Sequence, residues 1–382
     1  MTARKRVIEI LSHREADRVP VNMAPTVGFY KKLVRHLKIE TKREPEIGIW
    51  TEVNFNLDML DILGLDIVHI APEPPEGWSP KTFSDGSFTD EWGVVYKKKF
   101  YGDGEGYYYE MIGHPLAKAT MGDLESYPWP NTSDPSRFES LRDKVQSVFK
   151  YTNFAIMVSA FGALFETAEY LRGQEQWLVD LIQNPLFAKS LLDRLCALEE
   201  ESDRRILEAV GDYIQIFHLG GEDLGTQQSP LISPTIYRDI VKPYHMRRWQ
   251  NAKELFIRHN PEGKLMIHSC GAIYPFIQDF IDCGIDILDP IQPLAVGMGA
   301  SRLKRDFGTQ LCFCGGIDIQ RILPFGSVSD VREEVKKKIE ALAPGGGYII
   351  SPAHFIPDNV PPKNIMAMLE AAREFGTYPL NC

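Results

Sequence analysis

The sequence lacks any apolar run of about 18 residues, the length that a membrane-spanning helix requires. Residues 1–20, MTARKRVIEILSHREADRVP, carry charges throughout and so predict neither a signal peptide nor a membrane anchor. Basic residues are not in excess, because 42 Lys and Arg stand against 52 Asp and Glu and the formal net charge is −10. General nucleic-acid-binding proteins present a basic surface, so these counts argue against nucleic acid as a partner.

Cysteine is scarce, with 6 residues in a chain of 382. So few cysteines cannot form a disulfide scaffold, and we expect a reducing, cytoplasmic location. Apolar residues make up 44% of the chain, which is typical of a globular protein with a large core. There is no internal repeat, low-complexity tract or Gly/Ser linker, so residues 1–382 are predicted to form a single domain.

Eight short apolar runs are bounded by polar or turn residues, and long segments with helical periodicity separate most of them. The runs are VPVNMA (19–24), DIVHIA (66–71), FAIMVSA (154–160), YIQIFHLG (213–220), KLMIHS (264–269), DILDPI (286–291), LCFCGG (311–316) and GYIISPA (347–353). Alternating strands and helices predict an α/β protein, and eight buried strands predict a (β/α)8 (TIM) barrel. No Gly-x-Gly-x-x-Gly turn follows an early strand, which disfavours the rival, a doubly wound open sheet.

Two further segments decorate this barrel. The residues before the first run are predicted to form an N-terminal extension. The segment DGSFTDEWGVVYKKKFYGDGEGYYYEMIGHPL (85–116) is rich in glycine and aromatic residues and alternates as strands do. It predicts an inserted β-hairpin region at about residues 80–120.

Polar side chains stand at the ends of the runs or just beyond them. In a (β/α)8 barrel these ends converge on one mouth, so residues far apart in sequence become neighbours. The residues are Asn22, His69, Ser159, Glu222, Asp223, His268, Cys270, Asp289, Gln292, Cys314, Asp318 and His354.

His268 and Cys270 are two residues apart, so on an extended strand end both side chains point to the same face. Imidazole nitrogen and thiolate sulfur are ligands that zinc prefers, and either His354 or Cys314 could supply a third. Three protein ligands leave one coordination position open for catalysis. The alternative is that both residues belong to the core. A Cys–His nucleophilic pair is disfavoured because no peptidase-type signature surrounds either residue.

Glu222 and Asp223 directly follow a predicted strand and are flanked by glycine. Such carboxylates could hold a metal, orient a histidine or move a proton. They could equally be structural, with Asp223 capping a turn and Glu222 solvated.

The segment SAFGALFETAEYLRG (159–173) begins where the third run ends. Phe161 and Glu166, together with Gln292 beyond another strand, are candidates for contact with a cofactor. Aromatic residues at helical spacing more commonly belong to the core, so both interpretations stay open.

These stretches resemble the uroporphyrinogen decarboxylase superfamily, which includes the corrinoid-dependent, zinc-containing methyltransferases. The resemblance covers nearly the whole chain and implies a (β/α)8 barrel with its cleft at the carboxyl ends of the strands. It is carried by DILGLDIVHI, FGALFETAEYLRG, GGEDLGTQQSPLISPTIYRDIVKPYH, HSCGAIYPFIQDFIDCGIDILDPIQP, FCGGIDIQRILPFG and GGGYIISPAHFIPDNVPPKNI.

Two departures from the true decarboxylases favour the methyltransferase branch. The decarboxylases carry Arg-Gln-Ala-Gly-Arg near the N-terminus, where this chain has NMAPTVGFY (22–30) with no arginine. They also carry an aspartate after the second strand, where this chain has HIAPEPP. A porphyrinogen with eight carboxylates needs cationic partners, which this chain supplies poorly.

The resemblance implies a zinc site with His268 and Cys270 as two ligands and His354 at the third position, where the family usually has cysteine. It further implies that a methyl group moves between a corrinoid on a separate small protein and a small molecule. The donor or acceptor would be a methoxylated or methylamine-type compound, a thiol or a pterin.

Two other functions remain in competition. One is a metal-free decarboxylase of a smaller carboxylated substrate that uses Glu222, Asp223 and His354 as acid–base residues. The other is a barrel that has lost catalysis and binds a corrinoid or a metal. A homo-oligomer is left open.

Overall fold

The computed structural model describes residues 1–39, 46–48, 52–101 and 106–380. Within these residues the chain forms twelve strands. They are β1 (Glu46–Ile47), β2 (Val53–Asn54), β3 (Ile67–Ile70), β4 (Phe88–Thr89), β5 (Val95–Tyr101), β6 (Gly106–Gly113), β7 (Ala155–Ser159), β8 (Ile216–Gly221), β9 (Lys264–His268), β10 (Ile287–Ile291), β11 (Cys312–Ile317) and β12 (Tyr348–Pro352).

Fifteen α-helices lie in the same described ranges, and a π-helical turn (Tyr237–Val241) joins α9 to α10. The helices are α1 (Ala3–Leu11), α2 (Val27–Leu37), α3 (Leu57–Leu63), α4 (Met121–Ser126), α5 (Ser136–Tyr151), α6 (Phe165–Arg172), α7 (Gln174–Gln183), α8 (Pro185–Val210), α9 (Pro234–Ile236), α10 (Lys242–His259), α11 (Ile277–Asp282), α12 (Ala300–Phe307), α13 (Ile322–Phe325), α14 (Val328–Leu342) and α15 (Pro362–Phe375). Among these described helices, none is both long and apolar enough to cross a membrane.

Seven of the eight predicted strands form one parallel sheet in the order β12-β11-β10-β9-β8-β7-β3. The remaining run, residues 19–24, is the first along the chain. It forms no regular strand but lies between β12 and β3. Asn22 N donates to Ile350 O at 3.0 Å on one side, and Asp66 N donates to Val21 O at 3.0 Å on the other. This segment closes the sheet, and the predicted (β/α)8 barrel is confirmed.

Pro20 explains why the closing segment is irregular. Proline has no N–H, so Pro20 can only accept, from Ile350 N at 3.0 Å, and cannot donate to a ladder. The predicted first strand therefore forms as an isolated parallel bridge between Val21 and Ile350 instead of a regular strand.

The N-terminal end of the barrel is plugged by α1, the predicted N-terminal extension. Val7 and Leu11 are buried and join an apolar cluster of inward-facing strand residues. The strand members of this cluster are Ile67, Ala155, Met157, Ile216, Met266, Ile287, Cys312, Cys314 and Ile349. Because this end is filled, a ligand can reach the barrel interior from the opposite end, where the strands finish.

The insertion is an antiparallel sheet of three strands, β4-β5-β6, rather than the simple hairpin that the sequence predicts. The connection 102–105 between β5 and β6 lies outside the described residues. Aromatic packing ties the insertion to the barrel mouth, because the rings of Trp92 and Phe161 have centroids 5.5 Å apart.

A candidate metal centre at the barrel mouth

Three potential metal ligands converge at the carboxyl ends of two barrel strands. His268 is the last residue of β9, Cys270 lies two residues later, and His354 lies two residues beyond β12. One ligand atom from each side chain lies within 4.8 Å of the other two. His268 Nε2 is 3.3 Å from Cys270 Sγ, and the two imidazole rings cross at 81° with centroids 5.4 Å apart.

This donor set fits zinc. Ligand atoms around a tetrahedral zinc stand roughly 3.5 Å apart, since Zn–N and Zn–S bonds are about 2.1 and 2.3 Å long. His268 Nε2 and Cys270 Sγ already have that spacing, at 3.3 Å. His354 is exposed, so its ring can approach by the remaining distance of about an ångström without disturbing the core.

Asp289 orients the imidazole of His268. The parallel register of β9 and β10 sets Asp289 beside His268, and Asp289 Oδ2 lies 3.1 Å from His268 Nδ1. With Nδ1 held by a carboxylate, Nε2 faces the cluster, which is the usual arrangement of a histidine ligand and its supporting carboxylate. Burial alone would lower the pKa of His268, but Cys270 and Asp289 raise it well above its ordinary value.

Asp223 holds the loop that carries Cys270. The backbone N–H of Cys270 donates to Asp223 Oδ1 at 2.6 Å, and that oxygen lies 3.7 Å from His268 Nε2. Burial raises the pKa of the Cys270 thiol, although the neighbouring His268 opposes this effect. Partial desolvation of the His354 ring, followed by the positive charge of His268, lowers the pKa of His354 below its ordinary value. His354 is therefore a neutral imidazole at pH 7 and is ready to bind a metal.

Glu222 lies next to this cluster but is directed away from it. It is 0% exposed, and its two oxygens accept from the backbone N–H groups of Leu164 and Phe165, each at 2.7 Å. Burial favours its protonation, but His245 and these backbone donors lower the pKa of Glu222 overall. The carboxylate thus caps the start of α6, and an acid–base role for Glu222 stays a prediction that its contacts do not favour.

Glu166 faces the mouth from the first turn of α6. Its Oε2 accepts from Tyr170 OH at 2.9 Å, and a Cβ added to Gly221 would lie 2.5 Å from the same oxygen. The carboxyl group therefore rests directly on the glycine backbone at the end of β8. Burial, and secondly the charge of Asp223, raise the pKa of Glu166 to about 8. The ring of Phe161 packs against Trp92 and the Arg137 guanidinium, so protein groups already contact it.

Gln292 contacts the loop of the metal ligands. Its Oε1 accepts from Gly271 N at 2.8 Å, and its Nε2 donates to Gln227 Oε1 at 2.7 Å. Gly271 has a φ of 85°, and Gly225 O would lie 2.4 Å from any Cβ added there, so this turn requires glycine. Gln292, Cys270 and His354 line a cavity of about 150 Å³.

Cys314, the alternative third ligand, is not part of the cluster. It is buried and belongs to the apolar cluster inside the barrel. Burial and the adjacent Asp289 carboxylate raise the pKa of its thiol well above the usual value. Of the two candidates, the structure brings His354 together with His268 and Cys270.

A layer of hydrogen-bonded histidines lies across the neighbouring strands β3, β7 and β8. His69 Nε2 is 2.6 Å from Ser159 Oγ, which is 3.2 Å from His218 Nδ1. Burial lowers the pKa of His69 to about 4 and that of His218 to about 3, so both rings are neutral at pH 7.

Sequence reasoning missed the roles of two carboxyl groups. Asp289 is recognisable as a polar strand-end residue, but its pairing with His268 depends on the register between β9 and β10. Glu169 lies three residues after Glu166 and hence on the same face of α6. Burial raises its pKa to about 7, although the hydrogen bond from the Gln174 amide opposes this effect. The three-residue spacing between Glu166 and Glu169 could have identified Glu169 from the sequence.

The comparison with solved structures agrees with this architecture. A methyltransferase from Methanosarcina mazei superposes with a TM-score of 0.67 over 98% of this chain and 99% of that chain, at 18% sequence identity. A β-mannanase from the blue mussel Mytilus edulis has a TM-score of 0.43 at 8% identity, over 83% of each chain. The first likeness supports the fold, and the second is too low to support any conclusion.

Sequence comparison identifies the family. A search of curated proteins finds no significant match to this chain. The family model described as uroporphyrinogen decarboxylase (URO-D) matches residues 109–375, which is more than half of the chain and includes His268, Cys270 and His354. The resemblance seen in the sequence is thereby confirmed, and the protein belongs to the uroporphyrinogen decarboxylase (URO-D) family.

Proposed function

We propose that the protein is a methyltransferase that moves a methyl group between a corrinoid on a separate small protein and a small molecule, with zinc held at the barrel mouth. The observation that carries the proposal is the convergence of His268, Cys270 and His354 within 4.8 Å. Two imidazoles and one thiolate form a set of three ligands, as catalytic zinc sites have, and leave a fourth position for a substrate atom. The similarity in fold to a methyltransferase is consistent with this function.

Each group around the centre has a task that its contacts support. Zinc, when bound, would lower the pKa of a substrate group at the open position or polarise it. His268, Cys270 and His354 would hold the ion. Asp289 fixes the His268 ring through Nδ1, and Asp223 fixes the backbone of Cys270. Such supporting contacts commonly contribute 10- to 100-fold, roughly, to metal affinity.

The corrinoid is proposed from the family resemblance, and its cobalt would supply the methyl transfer itself. The chain would position the small molecule with its methyl carbon, or its accepting atom, at the open face of the mouth. The bond from the methyl carbon to the leaving atom breaks with both electrons on that atom, while a new bond forms to the incoming nucleophile.

Decarboxylation of a porphyrinogen is supported less well. The stretch 22–30 contains no arginine, and in it Thr26 serves to cap α2. Glu222, the proposed acid–base residue of the metal-free alternative, is already engaged by two backbone N–H groups and His245. The alternative would therefore depend on Asp223 and His354 alone.

Metal analysis combined with a matched pair of cysteine variants tests the proposal. We expect one zinc per chain in the purified protein and in Cys314→Ser, and loss of tightly bound zinc in Cys270→Ser. In Co²⁺-substituted samples, the near-ultraviolet band of a thiolate–cobalt bond should be present in the first two proteins and absent from Cys270→Ser.

Activity is measured by the change in the visible spectrum of cobalamin when it gains or loses a methyl group. Free cobalamin replaces the partner protein, and donors and thiol acceptors are tested in turn. Wild-type turnover that survives unchanged in a folded Cys270→Ser variant would contradict the metal assignment, and so would a wild-type protein that binds no zinc.

A further inference from the structure

The histidine layer, which consists of His69, Ser159 and His218, forms part of the floor of the barrel mouth. The apolar cluster at the closed end takes its inward-facing residues on β3, β7 and β8 from Ile67, Ala155, Met157 and Ile216. Side chains along a strand alternate between its two faces, so the next inward positions are those of the histidine layer. Its three residues are half-buried, and they lie between the apolar cluster and the open end.

Four polar side chains form one chain of hydrogen bonds across this floor. Asn54 Oδ1 lies 3.2 Å from His69 Nδ1, and His69 Nε2 lies 2.6 Å from Ser159 Oγ. Ser159 Oγ in turn lies 3.2 Å from His218 Nδ1. Burial lowers the pKa of His69 to about 4 and that of His218 to about 3. Both rings are therefore neutral at pH 7, and each carries one N–H group.

The amide of Asn54 sets the direction of this chain. A carbonyl oxygen can only accept, so the hydrogen of the His69 ring is on Nδ1, and its Nε2 is an acceptor. The hydroxyl of Ser159 therefore donates to His69 Nε2, and its oxygen accepts from His218 Nδ1. His218 thus carries its one hydrogen on Nδ1, which leaves a lone pair on Nε2.

The Nε2 atom of His218 is the free end of the chain. No described residue donates a hydrogen bond to it, whereas both nitrogens of His69 and the hydroxyl of Ser159 are engaged. The His218 ring is only half-buried, and its Nε2 is not enclosed as the unpartnered Nε2 of His245 is. An acceptor on the floor of an open barrel mouth is available to a ligand.

We infer that His218 Nε2 binds an uncharged hydrogen-bond donor, the O–H or N–H group of a small molecule held in the mouth. A ligand with such a group gains a hydrogen bond to His218. A ligand without one would cover Nε2 and remove its access to water, which costs free energy. This contact goes beyond the proposed function, because it requires neither a metal nor a corrinoid.

A nucleophilic role for Ser159 fits the same geometry less well. A serine beside a histidine is the arrangement of a nucleophile and its base. However, the Ser159 oxygen already accepts from His218 Nδ1, and a ring with a pKa of about 4 is a weak base. For the same reason, the His218 ring is suited to accept a hydrogen bond rather than to remove a proton.

Nitrogen NMR of protein labelled with ¹⁵N-histidine tests the direction of the chain. At pH 7 we expect the rings of His69 and His218 to carry their hydrogen on Nδ1, and exposed His36 is the reference. The His218 signal is assigned by its absence from His218→Asn. A His218 ring with its hydrogen on Nε2 would overturn the inference, because that atom could not accept a hydrogen bond.

Three probes of nearly the same shape test the class of ligand. Phenol carries an O–H group and aniline an N–H group, both uncharged at pH 7, and toluene carries neither. The ¹⁵N shift of His218 Nε2 is followed as each probe is added to the full-length, zinc-loaded protein. We expect phenol and aniline to bind at least about fivefold more tightly than toluene and to move this signal. The tighter of the two identifies the preferred donor.

Substitutions in the histidine layer locate the effect. In His218→Asn the amide can still donate to Ser159 but has no atom at the position of Nε2, so the three probes should bind within about twofold of one another. In Ser159→Ala nothing holds the hydrogen on Nδ1 of His218, so we expect it to move to Nε2 and the preference to fall. His36→Asn, on the exposed face of α2, is the matched control and should keep the wild-type preference. Circular dichroism verifies that each variant is folded.

A zinc ion could also bind phenol or aniline, so Cys270→Ser, which is expected to lose zinc, is titrated in parallel. A preference that persists in Cys270→Ser supports His218 as its source. A preference that disappears there but persists in His218→Asn belongs to the metal and would overturn the inference, as would equal binding of all three probes by the wild type. Zinc binding and methyl transfer found together with equal binding would leave the proposed function intact and refute only the donor site.

Discussion

At the N-terminal end of the barrel, the carboxylate of Asp66 is enclosed and paired with Arg6 and Arg18, whereas at the opposite end Asp223 and Asp289 face histidines and a thiol. Asp66 receives Arg18 at 2.7 and 3.0 Å and the backbone N–H of Val21 at 2.7 Å. Asp289 Oδ2 has His268 Nδ1 at 3.1 Å. Both carboxylates lie beside barrel strands, yet one is paired with two arginines and the other contacts a candidate metal ligand.

This difference separates stability from binding. A fully paired carboxylate at a closed, apolar end helps to hold the N-terminal segment on the barrel. The carboxylates at the open end contact His268, a candidate metal ligand, so a metal bound there would add to the stability of the folded protein. Substitutions at the two ends should therefore change different measured quantities.

The largest effect on folding is expected for Asp66→Asn. The change would leave Arg6 and Arg18 without their shared partner at a buried site and should reduce the free energy of unfolding by about 3–5 kcal/mol. Urea denaturation followed by circular dichroism measures the loss. Asp61→Asn, on the exposed side of α3, is the control and should stay within about 0.5 kcal/mol of the wild type. A small effect of Asp66→Asn would mean that the closed end does not depend on this pairing.

The matching change at the open end, Asp289→Asn, should leave the free energy of unfolding within about 1 kcal/mol of the wild type. It should instead weaken zinc binding by about 10- to 100-fold, because the His268 ring loses the carboxylate that orients it. Competition with a chromophoric chelator measures the zinc affinity. If Asp289→Asn destabilised the fold as much as Asp66→Asn does, the distinction between the two ends would be lost.

The histidine layer between the ends should make stability depend on pH. His69 and His218 have pKa values lowered by burial to about 4 and about 3, so the native state stays unprotonated where the unfolded chain takes up protons. Stability is at its full value above pH 6.5 and falls as the pH drops towards 4, by up to about 3 kcal/mol for each histidine.

Urea denaturation between pH 7 and pH 4 tests this window. A His218→Gln variant should show a shallower loss of stability over it, whereas His36→Gln, at an exposed position of α2, should keep the wild-type slope. Parallel curves for wild type and His218→Gln would show that this layer does not titrate as proposed.

Most of the barrel could be predicted from the sequence because seven of its strands are buried on both faces and appear as continuous apolar runs. The run 19–24 has the same composition but contains Pro20, and the missing N–H turns the expected strand into isolated hydrogen bonds. The third strand of the insertion, β4, could not be foreseen because it has only two residues, Phe88 and Thr89.

The candidate site was predictable where it depends on local spacing and not where it depends on register. His268 and Cys270 share a face because they are two residues apart. The choice between His354 and Cys314 depends on where β11 and β12 end within the barrel, which the sequence does not reveal. Likewise, β8 and β9 shift register between His218 and Gly221, and this irregularity precedes the turn of Glu222 towards α6.

The hydrogen bonds of Pro20 and Asn22 with Ile350 join positions more than three hundred residues apart in the chain. During synthesis on the ribosome, the early segment can pair with Asp66 on one side, but its other side has no partner until β12 has left the exit tunnel. Contacts of such high sequence separation form late and slowly, and the apolar edges that they cover stay open to other molecules until then. The nascent protein would thus depend most on molecular chaperones just before its last strand emerges.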